Sequence, residues 1–241
     1  MGGILEPQET DMTYYRYRFS FGYGLTPVIK NLMIIMGAVF LFQFVLETFG
    51  AAAYRHYFLY YFALIPSLVL SNYFIWQLGT YIFLHQDLFH IFFNLFSLWM
   101  FGGELENYWG SKKFLFYFLY CGIGAGIVTV LLSSYPLIIG ASGAIWGILL
   151  AFGWLFPNRP ILLIFFPTPI PAKYMVIIFG FLELYFSRLG TGGVIAYLTH
   201  LGGVIFGFFY LAYPMIRQKI RREYYKRKWS QRGPKGGDYF H

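Results

Sequence analysis

Long apolar runs separated by short polar stretches limit this chain more than any other feature. The run from Pro27 to Leu46 is about 20 residues, enough to cross a hydrocarbon core of ~30 Å as a helix. Five more follow: about Leu88 to Phe101, Phe114 to Leu132, Ser142 to Phe156, Ala172 to Phe186 and Val194 to Ile216. Only 12% of the residues are charged, about half the share usual in a soluble domain. With 58% hydrophobic residues, the chain reads as an all-α integral membrane protein, because a backbone in lipid must satisfy its own polar groups. No internal repeat is visible. The N-terminal stretch lacks the basic-then-apolar layout and cleavage site of a signal peptide.

Six spans put both termini on one side. Arg16, Arg18, Lys30, Lys112, Lys113, Arg159, Lys173, Arg217, Lys219, Arg221 and Arg222 then share that side, against Arg55 and Arg188 on the other. Basic residues collect on the cytoplasmic face, so both termini are expected there. The +8 net charge therefore reports orientation and not a nucleic-acid partner. The expected division is a cytoplasmic tail over 1–26, a six-helix domain over 27–216 and a basic cytoplasmic tail over 217–241. Between the first two spans, Glu47 to about Leu84 is rich in Tyr and Phe but holds no unbroken apolar run. That amphipathic aromatic character predicts a long first loop lying in the membrane interface. After Pro157 a proline-broken connection leads to the fifth span. The single cysteine, Cys121, sits in an apolar run and offers no disulfide or zinc framework.

Within this frame, Gly140-Ala141-Ser142-Gly143-Ala144-Ile145-Trp146-Gly147 opens the fourth span. A serine flanked by small residues at a helix start is accessible and close to a partially positive terminus. That suits a nucleophile whose reaction generates an oxyanion. Small residues in a membrane helix can also serve tight packing alone. The stretch Thr199-His200-Leu201-Gly202-Gly203-Val204-Ile205-Phe206-Gly207 tips the reading toward chemistry by offering a histidine base. Gly203 and Gly207 share a stripe with His200 and are expected to face Gly147 and Ala151 of the fourth helix. Depth agrees. Ser142 lies roughly 24 Å above Asn158, and His200 roughly 25 Å above Arg217, at the rise of a helix. Both then sit some 5–10 Å below the outer edge of the core. A helix can begin there only where protein or water meets its free N–H groups. The sequence thus predicts a cavity open to the extracytoplasmic side, with Ser142 at its floor.

A third cluster is His85…His90…Asn94. His90 and Asn94 are four apart, on one helix face, and are read as donors toward an oxyanion. His85 ends the first loop and is read as tying that loop to the second helix by hydrogen bonds. The spacing from His85 to His90 is not that of a helical zinc pair, and no His-Glu-x-x-His accompanies it, so no metal is expected. Among the acids, Asp87 sits in the loop before the second helix, Glu47, Glu104, Glu106 and Glu183 stand near helix ends, and none is forced next to His200. A Ser142–His200 dyad is therefore expected, with Glu104 and Glu106 holding a helix end and its loop.

Taken in this order, the His85…His90…Asn94 cluster, the Gly-Ala-Ser-Gly opening at Ser142, and His200 with Gly203 and Gly207 resemble the rhomboid family of intramembrane serine proteases, over roughly residues 27–216. The resemblance implies a six-helix bundle with Ser142 as nucleophile and His200 as general base. His90, Asn94 and the Ser142 backbone N–H are the implied oxyanion donors. Trp146 matches an aromatic position that supports the histidine ring, and Glu106 an acid that anchors the end of the second helix. Relatives carry Trp-Arg in the first loop, where this chain has Trp76-Gln77. The implied activity is cleavage of single-span membrane proteins within or near their transmembrane segments. It needs the lipid bilayer, no cofactor and no nucleic acid. The expected location is a bacterial or archaeal plasma membrane. A non-catalytic rhomboid-like protein that binds transmembrane helices is the alternative, opposed by the presence of both Ser142 and His200. A small transporter is a third class, opposed by the lack of repeat symmetry and paired broken helices.

Overall fold

Where the sequence puts its first span, α1 runs from Pro27 to Thr48 in the computed structural model. The structure describes residues 24–49, 52–132, 137–162, 168–188 and 193–231, so nearly all of the expected N-terminal tail lies outside it. Proline at the first helical position suits the start of α1, since its missing N–H would have had no intrahelical partner. The next free N–H groups, those of Val28 and Ile29, donate to the Glu106 carboxylate at 3.0 and 3.1 Å. The Thr26 hydroxyl donates to the same carboxylate. A distant acid thus caps the helix.

The first loop is a chain of short helices: α2 (Ala52–Phe62), α3 (Pro66–Asn72), α4 (Gln77–Thr80) and a 3₁₀ turn over Tyr81–Phe83. Gln77 is fully buried at its centre. Its side chain accepts from Ile65 N at 3.0 Å and donates to Tyr60 O at 2.8 Å. Trp76 Nε1 donates to Tyr61 O at 2.8 Å. Gln77 therefore closes the loop on itself.

α5 (Leu88–Ser97), a π-helical segment (Leu98–Gly102) and α6 (Gly103–Trp109) form one continuous rod. Then come α7 (Ser111–Leu132), α8 (Ser142–Leu155), a two-residue antiparallel pairing of β1 (Pro160–Ile161) with β2 (Ile170–Pro171), α9 (Ala172–Arg188) and α10 (Gly193–Gln231). Long helices occupy all six predicted segments, which makes the fold an all-α membrane bundle. Four of them, Pro27–Thr48, Leu88–Trp109, Ser111–Leu132 and Tyr197–Lys226, are long and apolar enough to cross a bilayer. α8, with 14 residues, is roughly 21 Å long and falls short of the full core.

The packed centre is α7, α8 and α10, with α9 laid against α8 and α10 from outside. Large apolar side chains such as Phe89, Phe92, Phe93 and Phe181 face outward, as lipid-facing residues must. One boundary differs from the sequence reading. The segment from Arg217, expected as a tail, continues α10 as helix to Gln231. Arg, Lys, Gln and Glu dominate it, and all four are good helix formers.

Candidate active site

The approach to Ser142 is held by the first loop. Ile138 and Leu64 exchange backbone hydrogen bonds, both at 2.9 Å, and Gly140 N donates to Tyr81 O at 2.9 Å. Gly140 adopts φ +123°, and a methyl group there would lie 2.5 Å from His90 Nε2. Only glycine meets both conditions. The chain then turns into α8 at Ser142, which is half-buried.

His200 faces this turn from α10 because the two backbones touch. A methyl group on Gly203 would overlap the Gly143 carbonyl oxygen, and one on Gly143 would lie 3.3 Å from Thr199 O. These contacts fall on the immediate neighbours of Ser142 and His200. Lower on the stripe, a methyl group on Gly207 would meet Gly147 Cα at 3.4 Å and the Tyr117 hydroxyl at 2.7 Å. Gly147 is thus the opposite number expected. Ala151 is not among the nearest atoms, and its place is taken by Tyr117 of α7, which donates to Gly147 O at 2.7 Å.

The sequence reading left His200 without a carboxylate, and the structure departs from it. His200 Nδ1 lies 2.6 Å from Glu183 Oε1, in the second half of α9. Sequence spacing could not reveal the pair, since it depends on how α9 docks onto α10. The available signal was a lone acid inside an apolar run, where ionisable residues are functional candidates by default. Trp146 lies beside the same ring, with centroids 5.8 Å apart and planes inclined by 32°. Among the described residues no hydrogen bond joins Ser142 Oγ to the histidine. With Nδ1 engaged, Nε2 is the nitrogen left to serve the serine.

His90 and Asn94 stand on α5 across from the serine turn. Gln86 N donates to His90 Nδ1 at 3.4 Å, which leaves the proton on Nε2, the nitrogen against Gly140. Asp87 caps the helix by accepting from His90 N at 2.9 Å. Asn94, 5% exposed, gives one amide hydrogen to His90 O at 2.8 Å and keeps a second. His85 differs from its expected role. Its backbone N–H donates to the Gln43 side chain at 3.2 Å, and its carbonyl accepts from Gln43 Nε2 at 3.4 Å. The tie thus runs to α1. Both ring nitrogens are buried and unpartnered among the described residues. Burial, with the nearby positive charge of a protonated His90 second, pushes the His85 pKa down to about 4, so the ring is neutral at pH 7.

Glu104 and Glu106 lie at the far end of the bundle. Glu106 joins α6 to α1 and accepts from Ser111 Oγ at 2.6 Å. Glu104 pairs with Arg159 at 2.7 Å. A cavity of about 330 Å³ opens between α8, α9 and α10, lined by Trp146, Gly180, Glu183, Tyr197 and His200 among others. Ser142 does not line it. The cavity flanks the histidine, whereas the sequence predicted one floored by the serine.

The Rhomboid domain family model matches residues 72–217. The chain is 37% identical to "Rhomboid protease GluP" of Bacillus subtilis over 136 residues, which is 56% of this chain and 25% of that protein. It is 28% identical to "Rhomboid protein 1, mitochondrial" of Saccharomyces cerevisiae over 162 residues, 61% of this chain and 45% of the relative. It is 29% identical to "Presenilin-associated rhomboid-like protein, mitochondrial" of Mus musculus over 168 residues, 64% and 43% of the two chains. The chain therefore spans less than half the length of these curated relatives.

Proposed function

The chain belongs to the rhomboid family, and from that premise we propose that it is an intramembrane serine endopeptidase acting on single-span membrane proteins. The observation that carries this reading is the contact of α8 with α10 at Gly143 and Gly203, which sets Ser142 and His200 on facing helices with no side chain between their neighbours. His200 Nε2 takes the Ser142 proton as Ser142 Oγ attacks the substrate carbonyl. The oxyanion accepts hydrogen bonds from His90 Nε2–H, the free Asn94 amide hydrogen and the Ser142 backbone N–H. The histidinium then protonates the leaving amine, and water hydrolyses the acyl-enzyme by the same base. A helical substrate must unwind locally before its carbonyl can reach Ser142, so helix-breaking residues near the cleavage site favour cleavage.

On this reading the six helices make up the membrane domain, α8 beginning below its outer face, and both termini are cytoplasmic. Arg217, Lys219, Arg221 and Arg222 at the emerging end of α10 support that orientation. We place the chain in a bacterial or archaeal plasma membrane; the Bacillus relative supports this, while the yeast and mouse relatives are mitochondrial proteins. The test is labelling of purified protein with a serine-reactive fluorophosphonate, beside cleavage of a panel of single-span substrates. Labelling and cleavage should both vanish in Ser142→Ala. Cleavage that persists in the purified variant would sink the nucleophile assignment. Folded protein that neither labels nor cleaves would favour a non-catalytic helix-binding role.

A further inference from the structure

We infer that Glu183 is the positioning residue for His200, so that the site works as a Ser142–His200–Glu183 triad whose acid is supplied by a separate helix. This rests on the protease reading above. Three observations carry it. The first is geometric. Glu183 Oε1 lies 2.6 Å from Nδ1, the ring nitrogen turned away from the serine's needs. A carboxylate on Nδ1 fixes which nitrogen carries the proton and leaves the Nε2 lone pair free to act as base. It also stabilises the imidazolium formed during acyl transfer.

The second observation is the environment. Glu183 is the one acid on a helix made chiefly of apolar residues such as Val176, Ile177, Ile178, Phe179, Phe181 and Leu182, with Lys173, Ser187 and Arg188 toward its ends. A carboxylate within an apolar membrane helix, here five residues before its C-terminal end, is costly in lipid and is retained where it has a partner. The partner it has is the proposed base. The side chains are only 26% and 15% exposed, for Glu183 and His200 respectively, so solvent screens the pair weakly.

The third is the ring's full set of restraints. Trp146 of α8 lies along the flank of the imidazole, at 5.8 Å between centroids. Glu183 holds its edge from α9. One contact limits tilt and the other limits rotation about the Cβ–Cγ bond, so together they leave Nε2 a single direction. Among the described residues α9 packs chiefly against α8, α10 and the short strands beside it. An outward shift of α9 would therefore withdraw the carboxylate while leaving Ser142 and His200 on their packed seam. The histidine would lose its orientation without any loss of fold.

The experiment compares purified wild type with Glu183→Ala and Glu183→Gln in detergent. It reads kcat and KM on one substrate, the rate of fluorophosphonate labelling at Ser142, the thermal midpoint, and the proton resonance of His200 Nδ1–H in ¹⁵N-histidine-labelled protein. Glu183→Ala should lower kcat and the labelling rate about 10–10²-fold with KM nearly unchanged. Replacing a buried triad acid by its amide costs about 10⁴ through the wrong tautomer, and the Ala variant, which imposes no tautomer, should lose less. Glu183→Gln removes the charge and can turn an amide N–H toward Nδ1, which favours the wrong tautomer, so it should be no faster than Glu183→Ala. The low-field Nδ1–H resonance should be present in wild type and absent in both variants, while the thermal midpoint stays close to wild type. A kcat in Glu183→Ala within twofold of wild type overturns the inference. So does a loss of activity that follows a fallen thermal midpoint while the resonance is unchanged. Wild-type protein that neither cleaves nor labels overturns the protease reading instead, and the resonance still decides whether the acid holds the ring.

Discussion

At His90 the place of one proton is set by a backbone amide. Gln86 N–H donates to Nδ1, which turns Nε2–H toward the serine loop. Asn94, one turn on, spends one amide hydrogen on the His90 carbonyl and holds the other free. Removing a single oxyanion donor costs about 10²–10³ in kcat, so Asn94→Ala should reduce kcat by that order and change KM little, because the bond forms chiefly in the transition state. Steady-state kinetics on one substrate decides, and a change confined to KM would reassign Asn94 to substrate binding. On the proposed mechanism Ser142 and His200 act as a unit. Each alanine variant should lose activity to background, and the double variant should be no slower than either single one. A further additive loss in the double variant would mean that the two residues act separately. Ser142, His200, His90 and Asn94 could be proposed from the sequence because each lies in a short local pattern. Glu183 was not, since its partner is 17 positions away on another helix.

Helix α8 starts where two backbones and a loop converge, and its seam with α10 permits little. Overpacking a filled interface costs about 1–3 kcal/mol, occasionally more. Gly203→Ala drives a methyl group into the backbone carbonyl of Gly143, which cannot move aside without shifting Ser142. Gly207→Ala meets mainly the tip of Tyr117, 2.7 Å away, which can turn at the cost of its bond to Gly147 O. Gly37→Ala on α1 meets nothing within 4 Å. Thermal midpoints in detergent should therefore fall in the order Gly203, Gly207, Gly37, with Gly37→Ala at or above wild type. Equal melting of Gly203→Ala and Gly37→Ala would show that α8 and α10 are not in contact. Hydropathy located all six helices, and residue counting alone showed α8 to be short. The π-helical segment over Leu98–Gly102 carries no local signature. Nor could the helical state of residues beyond Arg217 be separated from that of a solvated basic tail, because charge and helix propensity point in different directions there.

Across the whole molecule, charge and hydropathy divide the work: apolar length says which segments are buried in lipid, and lysines and arginines say which way they run. A cysteine introduced at Tyr225 on the basic end of α10 should react with a membrane-impermeant maleimide only in inverted vesicles. One introduced at Tyr57 in the first loop should react only in right-side-out vesicles. Tyr225 and Tyr57 are 47% and 62% exposed. Reaction of both from the same side would contradict the orientation. The measurement is clean because of Cys121, the single cysteine of the chain, which is fully buried. Its sulfur lies where a side chain on Gly147 would have to go, 2.5 Å from that position. A thiol so enclosed is shielded from disulfide exchange, alkylation and oxidation for as long as the bundle holds together, since those reactions need an accessible thiolate. The folded protein is chemically thiol-silent, and modification of Cys121 becomes a clock for the opening of α7 from α8.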